Sequence, residues 1–116
     1  VPGANSAAWI VGHLAVTARR TAERLGATGL PELTEEFVGR FSVTGKPAGA
    51  QAELPGKAEM LALFDGCLEK LVAAALSIPV EAFSSPPANP GPFASNYGEA
   101  VLFGALHVAM HAGQLS

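Results

Sequence analysis

The stretch Tyr97-Gly98-Glu99-Ala100-Val101-Leu102-Phe103-Gly104-Ala105-Leu106-His107-Val108-Ala109-Met110-His111-Ala112-Gly113-Gln114 decides how this chain is read. Asn96 just before it and Glu99 have the form of a capping box, in which each side chain satisfies an amide left open by the turn. Phe103, Leu106 and Met110 recur at helical spacing and supply apolar contacts beside His107 and His111. The pattern predicts a helix over residues 97–114. Its two histidines lie four residues apart, one turn above each other on one face, close enough to ligate a single ion. Gln114 follows on nearly the same face, placed to hydrogen-bond a ligand ring or a metal-bound water. Ala112 and Gly113 allow a neighbouring helix to come close.

Two further helices are expected upstream. Over residues 6–25, Ile10, Leu14, Ala18, Ala22 and Leu25 form the apolar stripe, and Arg19, Arg20, Glu23 and Arg24 mark the wet side. Asn5 or Ser6 serves as N-cap and Gly26 ends the helix. His13 and Thr17 lie beside the stripe, with Thr21 one turn further on. Over residues 57–76, Met60, Phe64, Cys67, Leu71 and Ala74 repeat in steps of three and four. Leu61, Leu68, Val72 and Ala75 widen that face, which predicts a substantially buried helix.

The connections are long for a bundle. Residues 26–56 carry several Gly and Pro, with one helical turn foreseen at Leu33-Thr34-Glu35-Glu36-Phe37. Pro79, Pro86, Pro87, Pro90 and Pro92 exclude a regular helix over residues 79–95. Such loops suggest crossovers, or walls around the mouth of a site.

Length and composition agree with an all-α domain spanning residues 1–116. The chain has 116 residues, enough for one core and too few for two. Hydrophobic residues make up 49% and charged residues 15%, which argues against disorder. A formal charge of -3 with no Lys/Arg block argues against a nucleic-acid surface. No apolar run is long enough to span a bilayer, and no secretory signal is visible, so no membrane partner is expected. The one cysteine, Cys67, cannot form an intramolecular disulfide and fits a reducing cytoplasm.

The third histidine, His13, lies in Trp9-Ile10-Val11-Gly12-His13-Leu14, again among apolar residues on a helix. A histidine pair on one helix face is often just a hydrogen-bonded core pair. Three histidines on core-adjacent faces are costly to bury unless something uses their nitrogens. Three imidazoles from two helices also match the open pattern for zinc, with remaining positions for water or substrate.

The segment Asn5-Ser6-Ala7-Ala8-Trp9-Ile10-Val11-Gly12-His13-Leu14, followed far downstream by His107-Val108-Ala109-Met110-His111-Ala112-Gly113-Gln114-Leu115, resembles the DinB-like superfamily of metalloenzymes. The resemblance implies a four-helix bundle with unusual helix order and long crossover loops. It implies a divalent metal, zinc or nickel, on His13, His107 and His111. Gln114 matches a glutamine frequent after the pair, and Trp9 an aromatic frequent one turn before the first ligand. The family also carries a helix before the one with its first histidine, and this chain starts almost at that second helix. Three broad apolar faces would then leave a groove, expected to be covered by a preceding helix absent from this sequence or by another chain; a homodimer is plausible.

Two chemistries follow from the resemblance: metal-dependent hydrolysis, and transfer or isomerisation assisted by a low-molecular-weight thiol acting on a small-molecule substrate. The catalytic group would be a metal-bound water or a thiolate, the nucleophilic form of sulfur. Other candidates are weaker. Cys67 lies on an apolar stripe and reads as core. Glu35 and Glu36 sit in a long loop, Ser84, Ser85 and Ser95 in turn-forming stretches, and Asn96 and Tyr97 roughly 15 Å along the helix from His107. Trp9 either walls the pocket or simply packs. The rival readings are a non-catalytic, stress-associated bundle that binds a metal or ligand, with a closed site, and a haem bundle using two of the histidines axially.

Overall fold

A computed structural model describes residues 7–42, 55–89, 91 and 94–115. The N-cap expected at Asn5 or Ser6, and Pro90 and Pro92, lie outside the described residues. The described chain is all-helical: α1 (Ala7–Arg24), α2 (Glu35–Phe41), α3 (Lys57–Ser77) and α4 (Tyr97–Leu115), with a short 3-10 turn at Val80–Ala82. Among the described residues the only β-type pairing is an isolated bridge between Gly91 and Ala94.

The first long helix is the hub. It packs against α3 most extensively, and against α4 and α2 as well. Residues 12–16 are all buried, so α1 is covered all round at that level. Ala18, Ala22 and Leu25 form one apolar cluster with Cys67, Leu71, Ala94 and Ala100. Ala15 and Val16 form a second with Phe37, Phe41 and Met60. Small residues on α1 let its neighbours approach closely, and the second cluster packs just after His13 on that helix.

Gly26 ends α1 as its position suggested. Its φ is +89°, and the Gly26 and Ala27 amides donate to the carbonyls of Glu23 and Ala22, each at 2.9 Å. This is the paired closure of a Schellman motif, whose left-handed residue is strained for any side chain with a Cβ. Gly26→Ala is therefore expected to cost about 1 kcal/mol, read as a lower urea midpoint with unchanged helical signal; an unchanged midpoint would contradict it. The proline-rich connection caps the same helix end. Asn89 donates from its side chain to the Glu23 carbonyl (2.7 Å), then the connection hands over to α4 through Tyr97 N–H to Ser85 O (3.0 Å).

Three expectations need correction. The single turn foreseen near residue 35 is a helix, α2, running to Phe41. Thr34 caps it by accepting from the Phe37 amide at 3.1 Å, Glu35 and Glu36 occupy its first turn, and Phe37 and Phe41 bury its inner face. Glu35 and Glu36 are thus helix-start residues rather than loop residues, where their charge suits the helix dipole. The box at the start of α4 closes on one side only. Asn96 accepts from the Glu99 amide (2.8 Å), but the Glu99 carboxylate accepts from the backbone and hydroxyl of Ser95, both at 2.8 Å. Finally, α3 buries only Met60, Cys67 and Leu71, while Leu76 is 82% exposed and Leu61 and Val72 are exposed too. On α4 the expected apolar contacts Leu106 and Met110 also face out, at 60% and 56%. Both helices are apolar on more than one side, and α1 covers one side of each.

Candidate metal centre

His13 comes from the buried middle of α1, and His107 and His111 from successive turns of α4. Residues 94 apart in sequence meet here. Nε2 of His13 lies 3.3 Å from Nε2 of His107, which lies 3.1 Å from Nε2 of His111. All three ligand atoms fall within 4.8 Å of one another. Two imidazole nitrogens bound to one tetrahedral zinc at roughly 2.0–2.1 Å stand about 3.3 Å apart, so two of the three separations already match. Among the described residues this is the one group of His, Cys, Asp or Glu able to hold a metal ion, and it has three members.

What faces the other ring nitrogens decides which lone pairs are free. Nδ1 of His13 donates to the Phe41 carbonyl at 2.8 Å, because a carbonyl oxygen can only accept. Nδ1 of His111 donates to Oε1 of Gln114 at 2.6 Å. In both rings a proton is thereby held on Nδ1, and Nε2 faces His107. This is the outer hydrogen bonding that metal-ligating histidines use to fix tautomer and ring orientation. The donor set fits a divalent metal.

Aromatic packing holds the rings further. Trp9 stacks on His13 with centroids 4.6 Å apart and planes 14° apart, and its indole N–H donates to the Arg40 carbonyl at 3.3 Å. Phe103 stacks on His107 (5.6 Å, 15°). Trp9 therefore both packs and walls the site. His13 and His111 are buried and His107 is half-buried, so solvent reaches the trio on the His107 side.

Burial sets the electrostatics. The pKa of His107 is pushed down to about 4 by burial first, then by His111 and His13 beside it. That of His13 is also lowered, mainly by burial; donation to Phe41 opposes this, and His111 and Arg20 reinforce it. Rings that resist protonation keep their lone pairs, which metal ligation requires. The same shifts give a pH dependence to the metal-free protein. The His107 pKa is depressed from 6.5 on folding, so the unfolded chain binds more protons between the two values. The resulting stability is full above about 6.5 and is lost as pH falls toward about 4. In chelator, the melting temperature is expected to drop over this window, and to drop less in His107→Gln. Equal slopes in the two proteins would refute the assignment.

The remaining candidates are not brought to the site. Cys67 is fully buried in the α1–α3 core, where burial raises its thiol pKa. Ser95 is tied to Glu99 at the start of α4. Two contributors were missed in the sequence. One is the Phe41 carbonyl, a backbone group that leaves no side-chain signature. The other is Gly12, whose place inside a helix beside a buried histidine is the kind of signal that marks a close approach.

A family model described as the DinB superfamily matches residues 1–115. The chain belongs to the DinB superfamily. The match spans both histidine segments and every helix described above. No match to a curated protein or to a solved structure accompanies it. The helical architecture and the three-histidine group that can hold a metal ion stand with this DinB membership. Among the described residues, no helix of this DinB chain is long and apolar enough to cross a membrane.

Proposed function

We propose that this DinB-superfamily chain is a divalent-metal-dependent enzyme, its zinc or nickel held through Nε2 of His13, His107 and His111. One observation carries the reading. The Nδ1 atoms of His13 and His111 are already engaged by Phe41 and Gln114, so their Nε2 lone pairs are aimed at a common point with His107. Three protein ligands leave a coordination position open, whereas structural zinc sites are closed by four. This favours an enzyme over a bundle whose metal only pins helices together. A haem bridge that uses His107 is disfavoured, because a porphyrin plane would have to pass between nitrogens 3.1–3.3 Å apart.

When bound, a divalent ion supplies Lewis acidity, lowering the pKa of a water or a thiol held beside it. The chain's own residues do the rest. Phe41 and Gln114 keep protons on the outer nitrogens, Trp9 and Phe103 fix two of the ring planes, and burial of His13 and His111 excludes water from all but the His107 side. The chemistry best suited to such a site is hydrolysis, or transfer or isomerisation assisted by a low-molecular-weight thiol, on a small-molecule substrate. Cobalt substitution tests it. The expected result is one cobalt per chain with the visible spectrum of a low-coordinate site, and a sulfur-to-cobalt charge-transfer band on adding a small thiol. A spectrum indifferent to thiols, anions and other small ligands would mean a closed site and would overturn the enzyme reading.

A further inference from the structure

The C-terminal turn of α2 is held by two side chains of α1 and by its own C-cap, Ser42. The last carbonyls of a helix have no partner within it. In α2 the Val38 carbonyl accepts from Ser42 Oγ (2.6 Å), that of Arg40 from the Trp9 indole (3.3 Å) and that of Phe41 from His13 Nδ1 (2.8 Å). A helix of seven residues cannot fix its own position, so these contacts and the packing of Phe37 and Phe41 locate it. The approach is tight at one point. A Cβ placed on Gly12 would lie 2.5, 2.6 and 2.7 Å from Cδ1, Cγ and Cε1 of the Phe41 ring. Carbon atoms in good contact stand about 3.5–4.0 Å apart. The ring is rigid and only 2% exposed, so it has nowhere to swing.

We propose that Gly12 is a positioning residue for the three-histidine site: its bare backbone admits the Phe41 ring, and so lets the Phe41 carbonyl accept a hydrogen bond from Nδ1–H of His13, which aims Nε2 at His107. The inference rests on the metal-holding role proposed above. Any side chain at position 12 moves the end of α2 outward by an ångström or so, enough to lengthen a 2.8 Å hydrogen bond past usefulness. His13 then loses both its tautomer preference and its orientation. Alanine ordinarily favours a helix interior over glycine, so a loss here has the opposite sign from a propensity effect.

The test compares Gly12→Ala with Gly39→Ala, a control on α2 where an added Cβ meets nothing within 4 Å. In the metal-free proteins, long-range 1H–15N NMR is expected to show His13 protonated on Nδ1 in the parent and in Gly39→Ala. In Gly12→Ala that preference should be lost, while His111 keeps its Nδ1 proton. Titrated with cobalt alone, Gly12→Ala should bind roughly ten- to a hundredfold more weakly, as when an outer hydrogen bond is removed, and Gly39→Ala like the parent. Retained tautomer and affinity in Gly12→Ala overturn the proposal, as does a parent His13 protonated on Nε2. Should Gly12→Ala not fold, Phe41→Ala is compared with Gly12→Ala/Phe41→Ala, in which the obstructing ring is gone. Equal cobalt affinity in that pair supports the ring contact as the route, and a further loss overturns it. If the parent binds no cobalt, the metal-holding role fails, and the NMR readings alone decide whether Gly12 positions His13.

Discussion

Replacing any one of His13, His107 and His111 by alanine is expected to lower zinc affinity by at least about a hundredfold and to leave the purified protein with no stoichiometric metal. The magnitude comes from dividing the roughly 10–16 kcal/mol that structural zinc sites supply among four ligands, which gives about 3 kcal/mol for each. The three variants should behave alike, because Nε2 of His107 stands 3.3 Å from that of His13 and 3.1 Å from that of His111, and all three ligand atoms lie within 4.8 Å of one another. Gln114→Leu belongs in the same series. It removes the acceptor of the His111 Nδ1 proton and should cost less, about ten- to a hundredfold. Chelator competition gives the affinities and elemental analysis the stoichiometry. Loss confined to His107 and His111, with His13→Ala still fully loaded, would reduce the site to the pair on α4 and remove the reason for α1 to bury an imidazole.

The second large effect concerns stability. Phe41→Ala is expected to cost about 3–5 kcal/mol, the usual range for truncating a buried phenylalanine. For a domain whose total stability is of order 5–15 kcal/mol, that is a major share. Phe41 is among the largest fully buried side chains described, and it joins α2 to the cluster of Ala15, Val16, Phe37 and Met60. Its ring also stands 4.6 Å from that of Phe37, so the loss should fall on α2 first. Urea denaturation measures the total, and hydrogen exchange along the chain locates it. A cost near 1 kcal/mol with α2 amides still protected would show that α2 is held by its capping hydrogen bonds rather than by its aromatic pair.

These two effects separate what the sequence made legible from what it did not. The long helices could be read from apolar residues in steps of three and four, and the α4 histidine pair from its spacing on one face. Joining His13 to that pair rested on the cost of burying three imidazoles and on the family resemblance, since no spacing rule connects residues 94 apart. Only a turn of α2 was foreseen, although Thr34, Glu35, Glu36, Phe37 and Phe41 together spell a capped, half-buried helix; the surrounding Gly and Pro masked it. The Phe41 carbonyl could not be read at all, because a backbone acceptor carries no residue-type signature. The orientations of Leu106, Met110, Leu61 and Val72 failed for a different reason. Periodicity says that a helix side is apolar; whether a neighbour covers that side depends on where the other helices lie.

The proposed site has three Nε2 atoms sharing one ion while the Nδ1 protons of His13 and His111 stay in place, donated to Phe41 and Gln114. Long-range 1H–15N NMR on the parent protein, recorded before and after one equivalent of zinc, reports each ring nitrogen separately. The expected result is a zinc-induced shift at Nε2 of His13, His107 and His111 together, complete at one zinc per chain, with the Nδ1 protons of His13 and His111 retained. Shifts at one or two rings only, or ligation through Nδ1 of His13 with loss of its proton, would contradict it.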